Sequence, residues 1–122
     1  MEIEDIQDIC KKLPGVTEDI KWGHDLCFCV GEKMFCVASL DQKPVSASFK
    51  VPDEEFNEMS SRRGFKPAPY VAKYKWVWMD DINRLSKKEW KHYITQSYEL
   101  VKAKLPRKVQ EKIDGKVAKG KK

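Results

Sequence analysis

Apolar positions along the chain fall into alternating helical and strand periods. Ile3, Ile6, Ile9 with Cys10, and Leu13 recur every three or four residues, with acids early and Lys11–Lys12 late. That pattern predicts an amphipathic helix whose charges oppose its macrodipole, stopped by Pro14–Gly15. The next segments, "EDIKWG" and "DLCFCVGEKMFCVASL", alternate and are rich in Val, Phe and Cys, as strands require. Gly31–Glu32 fits a two-residue type II′ hairpin loop. Facing residues would then sum to 63, with Cys27 opposite Cys36 and Cys29 opposite Met34. Leu26, Phe28, Val30, Phe35 and Val37 would occupy the other face. A further strand, "PVSASFKV", places Val45, Ala47 and Phe49 on one side.

A second helix is predicted from about Pro52, with Asp53, Glu54 and Glu55 in its first turn, Phe56 and Met59 inward, and Gly64 as its C′ residue. Pro67 and Pro69 prevent regular pairing until about Tyr70, after which "YKWVWMD" can form a strand. If Tyr74, Trp76 and Trp78 share a face, that row buries against the last helix and leaves Lys73, Lys75 and Val77 opposite. "SKKE", Ser86 to Glu89, is a capping box. It opens the clearest helix, with Trp90, Tyr93/Ile94, Tyr98 (or Ser97), Val101 and Leu105 as its buried stripe, and Pro106 ends or kinks it. A short turn over 107–114 and a frayed basic end follow. The order is helix, three or four strands, helix, one or two strands, helix. That is an α+β fold with helices on an antiparallel sheet.

Composition changes little in this picture and charge changes more. The chain has 122 residues and an ordinary apolar fraction, so residues 1–114 read as one domain, with 115–122 as a basic flexible tail. No apolar run approaches the roughly 18–20 residues of a membrane helix. The acidic, amphipathic N-terminus resembles neither a secretory signal nor a transit peptide, so a cytoplasmic location is expected. The net charge is +5. Residues 107–122 hold seven basic and two acidic residues, which leaves seventeen of each sign in residues 1–106. A whole-domain electrostatic case for nucleic acid therefore fails. A local one survives, because residues 61–75 carry Arg62, Arg63, Lys66, Lys73 and Lys75 and no acid.

Candidate chemistry is sparse. Four cysteines without paired Cys/His spacing make a poor zinc or redox site and are read as reduced, buried thiols. No nucleophile elbow, phosphate-binding glycine loop or H-E-x-x-H motif is present. His92 falls opposite the core stripe. The acid pairs sit at helix starts, where capping accounts for them. No catalytic residue, metal or cofactor is assigned, and a non-enzymatic protein is expected. The basic-aromatic stretch remains. Arg62, Arg63, Lys66, Lys73 and Lys75 are candidate phosphate contacts, with Tyr70 and Trp76 as candidate stacking partners. An alternative is an adaptor with a groove for a protein or small ligand near Trp22, His24 and Tyr70.

Five ordered blocks resemble the MmcQ/YjbR family of small bacterial proteins: "LPGVTEDIKWG" (13–23), "FCVGEKMFCVASL" (28–40), "VSASFKV" (45–51), "PAPYVAKYKWVWM" (67–79) and "SYELVKAKLPRKVQ" (97–110). The resemblance covers about residues 1–113. It implies an α-β(3)-α-β(2)-α fold of the secretion-chaperone-like kind, also described as a double-wing DNA-binding domain. It highlights Trp22, Gly23, Lys33, Phe35, Pro69, Tyr70, Lys73 and Trp76, and brings no catalytic residues. The lysine-rich tail departs from the family's core pattern. The combined expectation is a monomeric DNA-binding protein, with no membrane partner and with a protein partner as the alternative.

Overall fold

The computed structural model describes the backbone of residues 1–69 and 71–121, and side chains through Asp114 apart from Tyr70. Its elements are α1 (Ile3–Lys11), β1 (Val16–Lys21), β2 (Asp25–Val30), β3 (Lys33–Ser39), β4 (Ser46–Lys50), α2 (Asp53–Ser60), β5 (Phe65–Pro67), β6 (Trp76–Met79), α3 (Lys87–Lys102) and α4 (Arg107–Lys121). The expected α+β class is what the chain adopts. The six strands form one antiparallel sheet in the order β1-β2-β3-β4-β6-β5. Residues 115–122, expected to be a flexible tail, lie outside the residues whose side chains are described. Among the described residues no helix is long and apolar enough to cross a membrane.

Capping residues set the helix starts that the sequence predicted. The Glu2 backbone N–H donates to the Asp5 carboxylate at 2.8 Å, opening α1. At α3 the Ser86 N–H donates to Glu89 Oε1 at 3.0 Å, and Glu89 N–H donates to Ser86 Oγ at 3.1 Å. Such reciprocal bonds satisfy donors that a helix start leaves unpaired. The apolar stripes of α1, α2 and α3 then bury Ile6, Cys10, Met59, Trp90, Ile94 and Tyr98 against Phe28, Phe35, Phe49, Val77 and Met79 of one sheet face. Phe35 meets Tyr98 edge-on at 5.6 Å, and Phe49 meets Trp90 at 5.7 Å. The polar ends of these aromatics are satisfied: Trp90 Nε1–H donates to the Ile82 carbonyl at 2.7 Å, and the Tyr98 hydroxyl to that of Pro14 at 2.5 Å.

Three details of the strands differ from the sequence expectation. Gly31 and Glu32 both have positive φ, +54° and +67°, so the loop is type I′ rather than II′. A β-carbon at Gly31 would also lie 2.6 Å from Leu105. The facing sum of 63 holds only for Cys29–Met34 and Val30–Lys33. A bulge at Phe35 then shifts the register, so that Cys27 faces Val37 and Cys36 faces Phe28. Cys36 thereby joins the core while Cys27 stays on the opposite face. All four thiols are free and buried. Burial pushes Cys27 up to about 11 and Cys36 up to about 12.

The third difference concerns the aromatic row. Ser48 pairs with Trp78 and Lys50 with Trp76, whereas Phe49 pairs with Val77. Directly paired residues share a face, so Val77 enters the core and Trp76 and Trp78 lie on the face away from α3. The expected assignment is inverted because the β4–β6 register sets Val77 and Met79 opposite Phe49 and Ala47, which face the helices. Residues Ala72–Tyr74 form a 3₁₀ turn, and Lys75 has a φ of +66°, which breaks the alternation counted from Tyr74.

The bulge also ends the β3–β4 ladder. Its last pair is Cys36–Phe49, and the next potential partners, the Phe35 carbonyl and the Lys50 N–H, are joined through α3 instead. Ser97 Oγ donates to the Phe35 carbonyl at 2.5 Å and accepts from Lys50 N–H at 3.0 Å. Ser97 is wholly buried, so its removal leaves two strand groups without a partner, at roughly 1–3 kcal/mol each. Ser97→Ala is therefore expected to lower the unfolding free energy by at least about 2 kcal/mol in denaturant titration. A loss below about 0.5 kcal/mol would mean that the strands pair directly without it.

Candidate nucleic-acid interface

Where β3 and β4 part, a groove of about 450 Å³ opens at the end of the sheet. Its apolar lining is Met34, Val71, Tyr74, Trp76, Val101, Leu105 and Pro106, and its charged lining is Lys33, Lys50 and Lys104. The fold brings these lysines together from separate elements. Lys33 begins β3, Lys50 ends β4, and Lys104 follows α3. Among the described residues no carboxylate lines the groove, although Asp53 acts on Lys50 from the start of α2. Lys102, two residues back, points its ammonium to Asp114 at 2.6 Å instead.

Lys50 occupies the most constrained position of the three. Its ammonium donates to the Tyr74 carbonyl, which fixes the 3₁₀ turn over the end of β4. Burial lowers its proton affinity, the charges of Lys104 and Lys75 lower it further, and Asp53 opposes them. A half-buried ammonium beside other ammonium groups is a ready anion acceptor, because a bound anion relieves their mutual repulsion. Tyr74 is 54% exposed on the rim, with Lys73 Nζ 5.1 Å from its ring centre. Trp76 is 8% exposed on the floor.

The residues singled out from sequence do not form one cluster. Arg62, in the turn after α2, bridges β5 and α3. Its guanidinium lies 5.2 Å from the Phe65 ring centre and 3.8 Å from the Glu89 carboxylate. Arg63 is exposed at the same end of β5. Lys66 lies over Trp78 at 4.7 Å, on the face away from the helices. Lys75 turns to Phe56 of α2 at 5.1 Å. Lys73, Lys75 and Trp76 thus adjoin the groove, whereas Arg62 and Arg63 stand at the opposite end of the edge strand. Tyr70 lies outside the described residues. Trp22, 66% exposed, and His24, whose Nε2 is 3.5 Å from Asp25, sit at the far end of the sheet from Trp76.

The sequence reading missed Lys50 and Lys104 as site residues. Each occurs in a segment that looks like ordinary strand or helix end, and only the ladder register and the length of α3 bring them together. Lys33 had been marked through the family resemblance alone. No group of three or more His, Cys, Asp or Glu able to hold a metal ion is found among the described residues.

A two-layer α+β domain with one six-stranded antiparallel sheet is shared with solved structures. A Deinococcus radiodurans protein, DR2400, of domain DUF419, superposes with a TM-score of 0.82 at 22% identity, covering 92% of this chain and 87% of its own. A Pseudomonas syringae protein superposes with a TM-score of 0.67 at 20% identity, covering 82% of this chain and 98% of its own. The YjbR family model matches residues 11–100, and the chain belongs to the YjbR family. No curated protein matches the sequence.

The Lys50 environment has a direct readout. Competitive acetylation followed by mass spectrometry should give Lys50 a titration midpoint below the ordinary lysine value of 10.5. Lys104→Gln should raise it, because one repelling charge is gone. A midpoint at or above 10.5 would contradict the cluster.

Proposed function

We propose that this YjbR-family protein is a non-enzymatic nucleic-acid-binding module, DNA being the expected polymer, that works as a monomer in the cytoplasm. The observation that carries the reading is the convergence of Lys33, Lys50 and Lys104 on one carboxylate-free groove, with Lys73 and Lys75 beside it. The neutral balance of residues 1–106 keeps this attraction local. The basic residues after Arg107 add charge without specific geometry.

Each lysine that neutralises a phosphate releases condensed counterions, so affinity falls with salt. Five contacts predict a slope of log K on log salt near −3.5 for single strands and near −4.5 for duplex DNA. The triple variant Lys33→Ala, Lys50→Ala, Lys104→Ala should flatten the single-strand slope by about 2. Arg63→Ala, at the other end of β5, should change affinity by less than about twofold, as an exposed residue away from the contact should. Fluorescence anisotropy across a salt series measures all three. An unchanged slope in the triple variant would remove the groove from the interface, and no binding at about 50 mM salt would refute the function.

A further inference from the structure

The groove has more apolar wall than phosphate contacts require. A surface that only grips a duplex backbone presents lysines and hydrogen-bond donors, and it gains nothing from Met34, Val71, Trp76, Val101, Leu105 and Pro106 between them. The groove volume, about 450 Å³, falls within the range of sites that hold one small ring system. Tyr74 stands on the rim as one of only three large apolar side chains left exposed among the described residues. Lys73 lies over one face of its ring, so a stacking partner would take the other.

We propose that the groove takes one unstacked base of a single strand, with the flanking phosphates on Lys33, Lys50 and Lys104 and the base against Tyr74. This inference rests on the nucleic-acid reading and narrows its substrate class to single-stranded nucleic acid. In a duplex the bases are paired and stacked, so the apolar walls would stay unfilled. Stacking on an aromatic ring is open to every base because each has a π-face. Among the described residues the lining offers no Arg, Asn, Gln, Asp or Glu side chain, and its three lysines, which could also read a guanine edge, are the ones assigned to the phosphates. The binding is therefore sequence-tolerant. Trp76, closed under the floor, shapes the groove, while Tyr74 makes the stacking contact.

The charge and the apolar wall separate in one experiment on the full chain. Anisotropy at fixed salt compares a dodecathymidylate, a duplex of equal length and an abasic oligomer with the same phosphates and no bases. The dodecathymidylate should bind at least about tenfold tighter than either, and Tyr74→Ala should weaken it by roughly 5- to 100-fold. The same substitution should leave the abasic oligomer unchanged, and Tyr74→Phe should restore tight binding. Tyr74 is exposed, so the fold tolerates both. Equal affinity for the dodecathymidylate and the abasic oligomer, or for the duplex, would overturn the base-binding proposal while leaving the phosphate-binding function standing. No binding of any polymer, with dodecanoate binding instead, would overturn both and assign the groove to an acyl anion.

Discussion

The hydroxyl of Ser97 holds apart two strands that would otherwise pair. A regular antiparallel ladder would carry the Phe35 carbonyl directly to the Lys50 N–H, closing β3 on β4 to the end. The bulge at Phe35 adds a residue to β3, and the buried serine of α3 accepts one group and donates to the other. Both strand groups stay satisfied, as buried backbone groups must, yet the strand ends splay. Lys33 and Met34 leave on one side of the gap, Lys50 and Trp76 on the other, and the end of α3 closes it. One side-chain hydrogen bond pair thus links the core to the lysine-lined groove at the sheet end.

The same arrangement explains why lysines tolerate one another there. Each ammonium sits at the tip of a flexible stem whose methylenes cover apolar surface, which is how lysine accommodates partial burial. The stem of Lys50 runs beside Trp76 and its head reaches the Tyr74 carbonyl. That contact anchors the turn that presents Tyr74. Charge, turn and exposed ring form one unit, and the positive φ of Lys75 marks the strain that the unit carries.

Much of the fold was legible in sequence because its signals are local. The Ser86–Glu89 capping box, the stripe of α3 with Tyr98 or Ser97 in it, and the α+β class follow from spacing within one element, whereas the Glu2–Asp5 box of α1 emerged only in the structure. The misread features depend on pairs of elements. Nothing in "DLCFCVGEKMFC" announces a bulge at Phe35, since Phe35 and Cys36 are both apolar and either can face the core. The face taken by Trp76 and Trp78 depends on the register of β6 against β4, which no single segment carries. The groove was hidden for a related reason. Its lysines lie in three segments, and the charge run that drew attention, residues 61–75, is divided by the fold between two ends of an edge strand. Local density of charge in sequence is a weaker guide than convergence of elements in space.

The central claim is that anions meet this protein at the splayed sheet end and nowhere else along the basic edge. Amide chemical-shift mapping of the labelled protein with a short single-stranded oligonucleotide tests it most directly. The account predicts shifts concentrated at Lys33–Met34, Lys50, Ala72–Trp76 and Val101–Leu105, with Arg62–Lys66 and Trp22–His24 nearly unmoved. Shifts centred on Arg62, Arg63 and Lys66, with the groove silent, would contradict it.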